Sequence, residues 1–97
     1  MEIREFQKLM RDIYGANDAG RGLQKTQLWF YEECGELAEA MRKDDKKAIE
    51  EEMADVFAWM VSLANMLDID VEKACLEKYP MKCPRCGSSP CRCNTQE

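Results

Sequence analysis

Apolar residues recur along this chain at intervals of three and four positions, which is the spacing of one face of an α-helix. A first helix is predicted by Ile3, Phe6, Met10 and Ile13. We expect it to end near Gly15, because glycine is common just past a helix end. A turn-rich connector is then expected over residues 17–22, which contain asparagine, aspartate and two glycines.

Further along the chain, the same spacing predicts three more helices. A long second helix is indicated by Leu23, Phe30, Cys34, Leu37 and Met41, and a long third helix by Ile49, Met53, Val56, Met60, Leu63 and Leu67. Asp70 is placed to cap a short fourth helix that carries Val71, Ala74 and Cys75. Since no segment alternates apolar and polar residues as a half-buried strand would, we expect an all-α fold, a helical hairpin bundle of three long helices plus a short fourth.

The segment between helices two and three contains neither glycine nor proline, so one continuous helix from Leu23 to Leu67 is an alternative. Asp44 or Asp45 is a suitable N-cap for a separate third helix and would help to turn the chain. The acidic residues on the two helices favour the hairpin.

Four carboxylates lie within or beside the apolar faces of helices two and three when residues are placed at about 100° intervals. Glu33 and Glu52 fall inside these faces, and Glu36 and Asp55 lie at their edges. A reversal of the chain near Asp44 sets Glu33 opposite Asp55 and Glu36 opposite Glu52. The same reversal sets Trp29 opposite Trp59. In a continuous helix, Glu33 and Glu52 would instead lie about 28 Å apart.

A carboxylate that faces a core costs several kcal/mol unless it is neutralised, paired or bound to metal. Few cations are placed to pair with these four groups. Clustered carboxylate oxygens without nitrogen or sulfur ligands suit a hard cation, Mg²⁺ or Mn²⁺. The remaining acidic residues of the two helices are expected to form solvated faces; they include Glu32, Glu39, Glu50 and Glu51.

The charge and residue counts exclude several classes of function. Fourteen Lys and Arg against nineteen Asp and Glu give a net charge of −5, which disfavours binding to nucleic acid or to an anionic membrane. The chain has no histidine, so a Ser-His-Asp triad and a Cys₂His₂ finger are excluded. No apolar run is long enough for a membrane span, and the first residues are unlike a signal peptide. We therefore expect a cytoplasmic protein.

The last part of the chain, residues 80–97, is rich in cysteine and proline, and we assign it as a tail separate from a helical domain over residues 1–79. Its cysteines are spaced C-x₂-C-x₄-C-x-C at Cys83, Cys86, Cys91 and Cys93. In a reducing compartment such a cluster favours a structural Zn²⁺ knuckle. Disulfides and an iron–sulfur cluster are the alternatives. Four thiolates leave no open position for catalysis at the metal.

Helix two carries the segment Glu32-Glu33-Cys34-Gly35-Glu36, and helix three carries Glu52-Met53-Ala54-Asp55. These two segments resemble the E-E-x-x-E and E-x-x-D motifs of the MazG-like nucleoside triphosphate pyrophosphohydrolases. The resemblance extends from about Leu23 to Lys78. It implies an all-α fold assembled as an oligomeric bundle, a homodimer or homotetramer. The wide apolar faces of the two helices also lead us to expect an oligomer.

The resemblance further implies Mg²⁺-dependent hydrolysis of a nucleoside triphosphate to the monophosphate and pyrophosphate, an activity that can sanitise the nucleotide pool. By position, the metal ligands would be Glu33, Glu36, Glu52 and Asp55. Family members often carry the spacing K-x-x-x-N-x-x-R after the helix that follows the third helix. Lys78 and Arg85 match it, but Lys82 stands at the asparagine.

A triphosphate substrate needs cationic contacts as well as the metal, and a water nucleophile needs a base. With no histidine, a glutamate is the expected general base, and we assign Glu32 or Glu36. The candidate phosphate contacts are Arg21, Lys25, Lys78 and Lys82. Trp29 and Trp59 are candidates for stacking on the base, although an aromatic on an apolar face is more often part of a core.

Two other functions fit the same sequence. One is a non-catalytic oligomeric helical module whose zinc knuckle binds a protein or nucleic-acid partner. The other is a related phosphoanhydride hydrolase, such as a phosphoribosyl-ATP pyrophosphohydrolase. Release of pyrophosphate from a nucleotide separates the enzyme from the binding module.

Overall fold

The computed structural model describes residues 1–94 and contains four helices and no strand within them. The helices are α1 (Ile3–Arg21), α2 (Leu23–Arg42), α3 (Lys46–Met66) and α4 (Val71–Lys78). The predicted all-α class is confirmed, and so is the order of three long helices and a short fourth. Residues 95–97, which end the predicted tail, lie outside the described residues.

The predicted end of the first helix at Gly15 is wrong, and so is the connector over residues 17–22. α1 continues through Gly15 to Arg21. Asp18 and Arg21 form an ion pair one helical turn apart, which favours the helical conformation in this segment. The break falls at Gly22, where φ is 91°, a conformation that residues with a Cβ rarely adopt.

The hairpin of α2 and α3 is confirmed, and the continuous-helix alternative is therefore excluded. The chain reverses over residues 43–45, where Asp44 adopts a positive φ of 57°. Asp45 is the N-cap of α3, and its side chain accepts a hydrogen bond from the backbone N–H of Ala48. The Trp29 and Trp59 rings lie 5.6 Å apart, edge to face, as the predicted register requires.

α1 packs across the hairpin, mainly against α3, and holds α4 at its N-terminal end. The buried Gln7 amide donates to the side chain of Asn65 and to the carbonyl of Ile69, and its oxygen accepts from the N–H of Val71. Asp70 caps α4, as predicted, by accepting from the N–H of Lys73. These polar contacts fix the turn between α3 and α4 against α1.

The hydrophobic core of one chain is small. Among the described residues, the buried apolar side chains are Met10, Ala40, Val61 and Ala64, and of these Val61 alone is fully buried. Large apolar side chains on the hairpin remain exposed instead; they include Leu28, Tyr31, Met41, Met53 and Leu67. In the described part of the chain, no helix is both long enough and apolar enough to cross a membrane.

Replacing Asp45 with alanine is expected to lower the free energy of unfolding by about 1 kcal/mol, because the first turn of α3 loses its side-chain cap. Asp45→Asn should retain most of the stability, since asparagine caps about as well. Urea unfolding followed by circular dichroism measures both variants. Equal losses in the two would contradict the role of the cap.

Candidate functional site

Three carboxylates from the two long helices meet at one place on the hairpin. Glu33 and Glu36 lie one turn apart on α2, and Glu52 faces them from α3. One oxygen from each lies within 4.8 Å of the others. The i, i+3 spacing on α2 and the antiparallel register of α3 together produce this cluster, which we call the acidic cluster.

The acidic cluster is partly withdrawn from water and is not neutralised by protein cations. Within residues 1–94, no lysine or arginine forms an ion pair with its members. The Oε1 atoms of Glu33 and Glu52 are buried and have no hydrogen-bond partner in this part of the chain. Leaving a buried acceptor unsatisfied costs about 1–3 kcal/mol.

Burial and mutual repulsion change the acidity of the cluster. Desolvation, followed by the charges of Glu36, Asp55 and Glu52, raises the pKa of Glu33 to about 7. Desolvation also raises the pKa of Glu52, with the charges of Glu36 and Asp55 as further causes. Like charges therefore meet here with nothing in the described chain to balance them.

Asp55, the fourth predicted metal ligand, lies beside the acidic cluster but does not belong to the set within 4.8 Å. Its side chain is exposed, and its charge contributes to the raised pKa values of Glu33 and Glu52. Asp55 also lines a cavity between α1 and α3. Asp55 thus lies next to both the acidic cluster and this cavity.

The donor set of the acidic cluster fits a hard divalent cation. Mg²⁺ and Mn²⁺ favour carboxylate oxygens, and the three side chains supply several oxygens within reach of one ion. Two of those oxygens are the unpartnered Oε1 atoms of Glu33 and Glu52. A cation would satisfy both atoms and reduce the repulsion that raises the pKa values.

Glu32, the other predicted general base, is exposed on α2 next to Glu33 and lies outside the acidic cluster.

Arg21 lies between the two tryptophans instead of on the solvated surface. Its guanidinium carbon is 5.0 Å from the centroid of the Trp29 ring and 4.8 Å from that of Trp59. It also pairs with Asp18, which is 4% exposed, and its Nε donates to Thr26 Oγ1 at 3.0 Å. The sequence reasoning missed Asp18; its i, i+3 spacing from Arg21 was the available signal.

The predicted lysine contacts are not gathered at the acidic cluster. Lys25 is exposed in the first turn of α2 and forms no ion pair with residues 1–94. Lys78 ends α4 and lies over the Tyr79 ring, at 5.6 Å from its centroid. Lys82 is exposed beyond α4. No contact described within the single chain joins Lys78 or Lys82 to the acidic cluster.

The four cysteines of the tail converge as a second cluster. One Sγ atom from each of Cys83, Cys86, Cys91 and Cys93 lies within 4.8 Å of the others, an arrangement able to hold a metal ion. The Sγ atoms of Cys83 and Cys93 are 3.7 Å apart, and those of Cys86 and Cys91 are 4.0 Å apart. Both distances are well above the length of a disulfide bond, about 2.05 Å.

Backbone N–H groups point at these sulfurs. Arg85 N–H donates to Cys83 Sγ at 3.4 Å, and Arg92 N–H donates to Cys86 Sγ at 3.2 Å. Such donors stabilise thiolates: the backbone N–H groups of Cys86 and Arg85 lower the pKa of Cys83, and that of Arg92 is the main cause that lowers the pKa of Cys86 to about 6. Gly87 turns the chain with a φ of 72°.

Comparison with known proteins agrees with the geometry of the hairpin. Residues 21–87, more than half of the chain, match the family model of the MazG nucleotide pyrophosphohydrolase domain. A search of curated proteins finds no match.

Glu33→Gln is expected to stabilise the metal-free protein at pH 8 relative to the wild type, and the difference should shrink towards pH 5. The folded-state pKa of Glu33 is raised from 4.5 to about 7, so the folded state binds more protons than the unfolded state between these values. The free energy of unfolding of the wild type therefore falls as the pH rises from about 4.5 to about 7, because the folded state must then release a proton that it holds more tightly than the unfolded state does. Urea unfolding in a chelating buffer measures it.

The exposed residue Glu50 provides the matched control, because Glu50→Gln removes a charge from α3 outside the acidic cluster. Its stability difference from the wild type should change little over the same pH range. A pH-independent effect of Glu33→Gln would contradict the account of the cluster.

Proposed function

The chain belongs to the MazG nucleotide pyrophosphohydrolase family, and we propose that it hydrolyses a nucleoside triphosphate to the monophosphate and pyrophosphate with the help of Mg²⁺ or Mn²⁺. The family implies nucleotide pyrophosphohydrolase activity in general, and so a hydrolase acting on nucleotides. The observation that supports the metal-dependent reaction is the acidic cluster, in which two buried carboxylate oxygens lack a partner among residues 1–94.

In this proposal the metal ligands are Glu33, Glu36, Glu52 and Asp55, of which the first three form the acidic cluster and Asp55 lies beside it. When bound, the ion would neutralise phosphate oxygens and lower the pKa of a bound water. The carboxylates themselves supply a fixed position, because Glu33 and Glu52 are half-buried on two helices that are packed together. Sanitising the nucleotide pool is the role we propose for such an enzyme.

The hydrolytic step needs a base near the attacking water. The water oxygen forms a bond to the α-phosphorus, the bond from that phosphorus to the bridging oxygen breaks, and pyrophosphate leaves. A glutamate takes the proton of the water, because the chain contains no histidine. Glu36 and Glu32 are the candidates: Glu36 belongs to the acidic cluster and is exposed, and Glu32 is exposed next to Glu33.

The phosphates of a bound nucleotide would also need basic side chains. We propose Lys25, Lys78 and Lys82 for this role. The apolar side chains that remain exposed on the hairpin support a homodimer or homotetramer. The net charge of −5 gives no support to stable binding of nucleic acid.

We further propose that the cysteine cluster holds one structural Zn²⁺. Four convergent sulfurs and the N–H groups directed at them support a Cys₄ site, which leaves no open coordination position. A helical module whose zinc knuckle binds a partner remains the second candidate, favoured by the exposure of Arg85 and Arg92 beside this cluster.

Glu36→Gln and Asp55→Asn are expected to lower kcat/KM for pyrophosphate release by about 100-fold or more, because each removes a charge from the reaction site. Pyrophosphate formed from a panel of common and modified triphosphates, with Mg²⁺ titrated, measures the activity. Circular dichroism establishes that both variants remain folded.

Glu50→Gln should keep the wild-type rate, since Glu50 is exposed and lies outside the acidic cluster. If the folded wild-type protein released no pyrophosphate from any triphosphate, the binding module would replace the enzyme as the better proposal.

Cys86→Ser is expected to lose zinc, whereas the wild type should carry about one Zn²⁺ per chain. Inductively coupled plasma mass spectrometry of protein purified without added metal measures the content. The melting temperature of the wild type should fall when a strong chelator removes the ion.

Cys75→Ser is the matched control, because Cys75 is an exposed cysteine on α4 outside the cysteine cluster. It should retain zinc. Iron in place of zinc, or disulfides in the wild type, would refute the structural zinc site.

A further inference from the structure

A cavity of about 200 Å³ lies between α1 and α3, and Asp55, which lies beside the acidic cluster, forms part of its wall. Its polar and aromatic wall is formed by Tyr14, Asp18, Arg21, Asp55, Trp59 and Ser62. Residues one or two turns apart on each helix supply these groups, so the cavity follows the groove where α1 crosses α3. Asp55 connects it to the acidic cluster, since the charge of Asp55 acts on Glu33 and Glu52.

Asp18 is the unexplained group in this cavity wall. The residue is 4% exposed, and its Oδ1 pairs with Arg21 Nη2. Its Oδ2 is buried and has no hydrogen-bond partner within residues 1–94. An unsatisfied buried acceptor on a charged group is costly, so a donor that reaches Oδ2 would gain a hydrogen bond that the described chain leaves unmade.

Arg21 holds this carboxylate in place and is itself held on several sides. Both tryptophan rings lie against the guanidinium, and Thr26 Oγ1 accepts from Nε. Thr26 is fully buried and donates in turn to the carbonyl of Gly22 at 2.8 Å. The pair therefore presents a fixed donor beside an acceptor with unused capacity.

We propose that the Asp18–Arg21 pair recognises the nucleobase of the substrate, and that it selects a base carrying an exocyclic amino group. The proposal rests on the proposed function, because it places the base of the hydrolysed nucleotide in this cavity. A carboxylate can only accept hydrogen bonds, so Asp18 suits an amino group and repels a carbonyl at the same position. Asp18 is one of the residues that line the cavity, so a base that enters it lies beside this carboxylate.

The order of groups along α3 agrees with a nucleotide lying in this groove. Glu52, Asp55, Trp59 and Ser62 follow one another towards the C-terminus of the helix. Glu52 and Trp59 are separated by about 10 Å along the helix axis, at 1.5 Å per residue. The phosphates would lie at the acidic cluster, and the base would lie beside Trp59, whose ring offers a surface for stacking.

Pairs of nucleotides that differ at one exocyclic group test the selection on the unmodified protein. CTP and UTP differ in an amino group against a carbonyl, and ATP and ITP differ in the same way. We expect the amino-bearing member to have at least a tenfold higher kcat/KM for pyrophosphate release in one or both pairs. Ratios near one in both pairs would overturn the base assignment, while measurable hydrolysis would leave the proposed function standing.

Asp18→Asn tests whether Asp18 itself makes the selection. An amide can donate as well as accept, so the preference for CTP over UTP, or for ATP over ITP, should shrink by at least tenfold or reverse. Asp12→Asn is the matched control, because Asp12 is an exposed α1 aspartate paired only with Lys8. It should keep the wild-type ratios.

The outcomes separate the two proposals. No hydrolysis of any triphosphate by the folded wild type contradicts the proposed function. If Asp18→Asn lowers kcat/KM equally for CTP and UTP, and equally for ATP and ITP, Asp18 has a structural role and base recognition is refuted. If Asp18→Asn fails to fold, the wild-type ratios alone decide the base selection.

Discussion

The repulsion among carboxylates within the apolar seam of the α2–α3 hairpin is the interaction on which the rest of the structure depends. Glu33 and Glu52 are half-buried and lie near Glu36, with no basic side chain of the described chain paired to them. Such an arrangement lowers the stability of the fold taken alone. Protonation of Glu33, whose pKa is raised to about 7, relieves part of this cost, and the divalent cation that we propose for the acidic cluster would offset it further.

Burial of charge takes two different forms on the two sides of α3. At the acidic cluster the charges are alike and lack a counterion, whereas Asp18 and Arg21 form an opposite pair enclosed by Trp29 and Trp59. The first arrangement suits a cation, and the second offers directed hydrogen bonds to a neutral polar group. Asp55 lies between them, which joins the two into one elongated surface suited to a ligand with a charged end and an uncharged end.

The hairpin and the acidic cluster could be predicted from sequence because both follow from helical periodicity and one antiparallel register. The edge-to-face contact of Trp29 with Trp59 follows from that register as well. The end of α1 could not be predicted in this way. Gly15 and Gly20 resemble helix ends locally, but the ion pair of Asp18 with Arg21 and the packing against α3 outweigh their weak helix propensity.

The junction between α1 and α2 has a consequence for how the chain tolerates length changes. Gly22 alone separates the two helices, and its carbonyl accepts a hydrogen bond from the Thr26 hydroxyl. The same hydroxyl oxygen accepts a hydrogen bond from Nε of Arg21. An insertion at this corner would displace the guanidinium from the tryptophans, although surface loops usually accept extra residues. The reversal at residues 43–45 is exposed, so a reporter peptide or a fused partner is better placed there, on the α2 side of the N-cap Asp45.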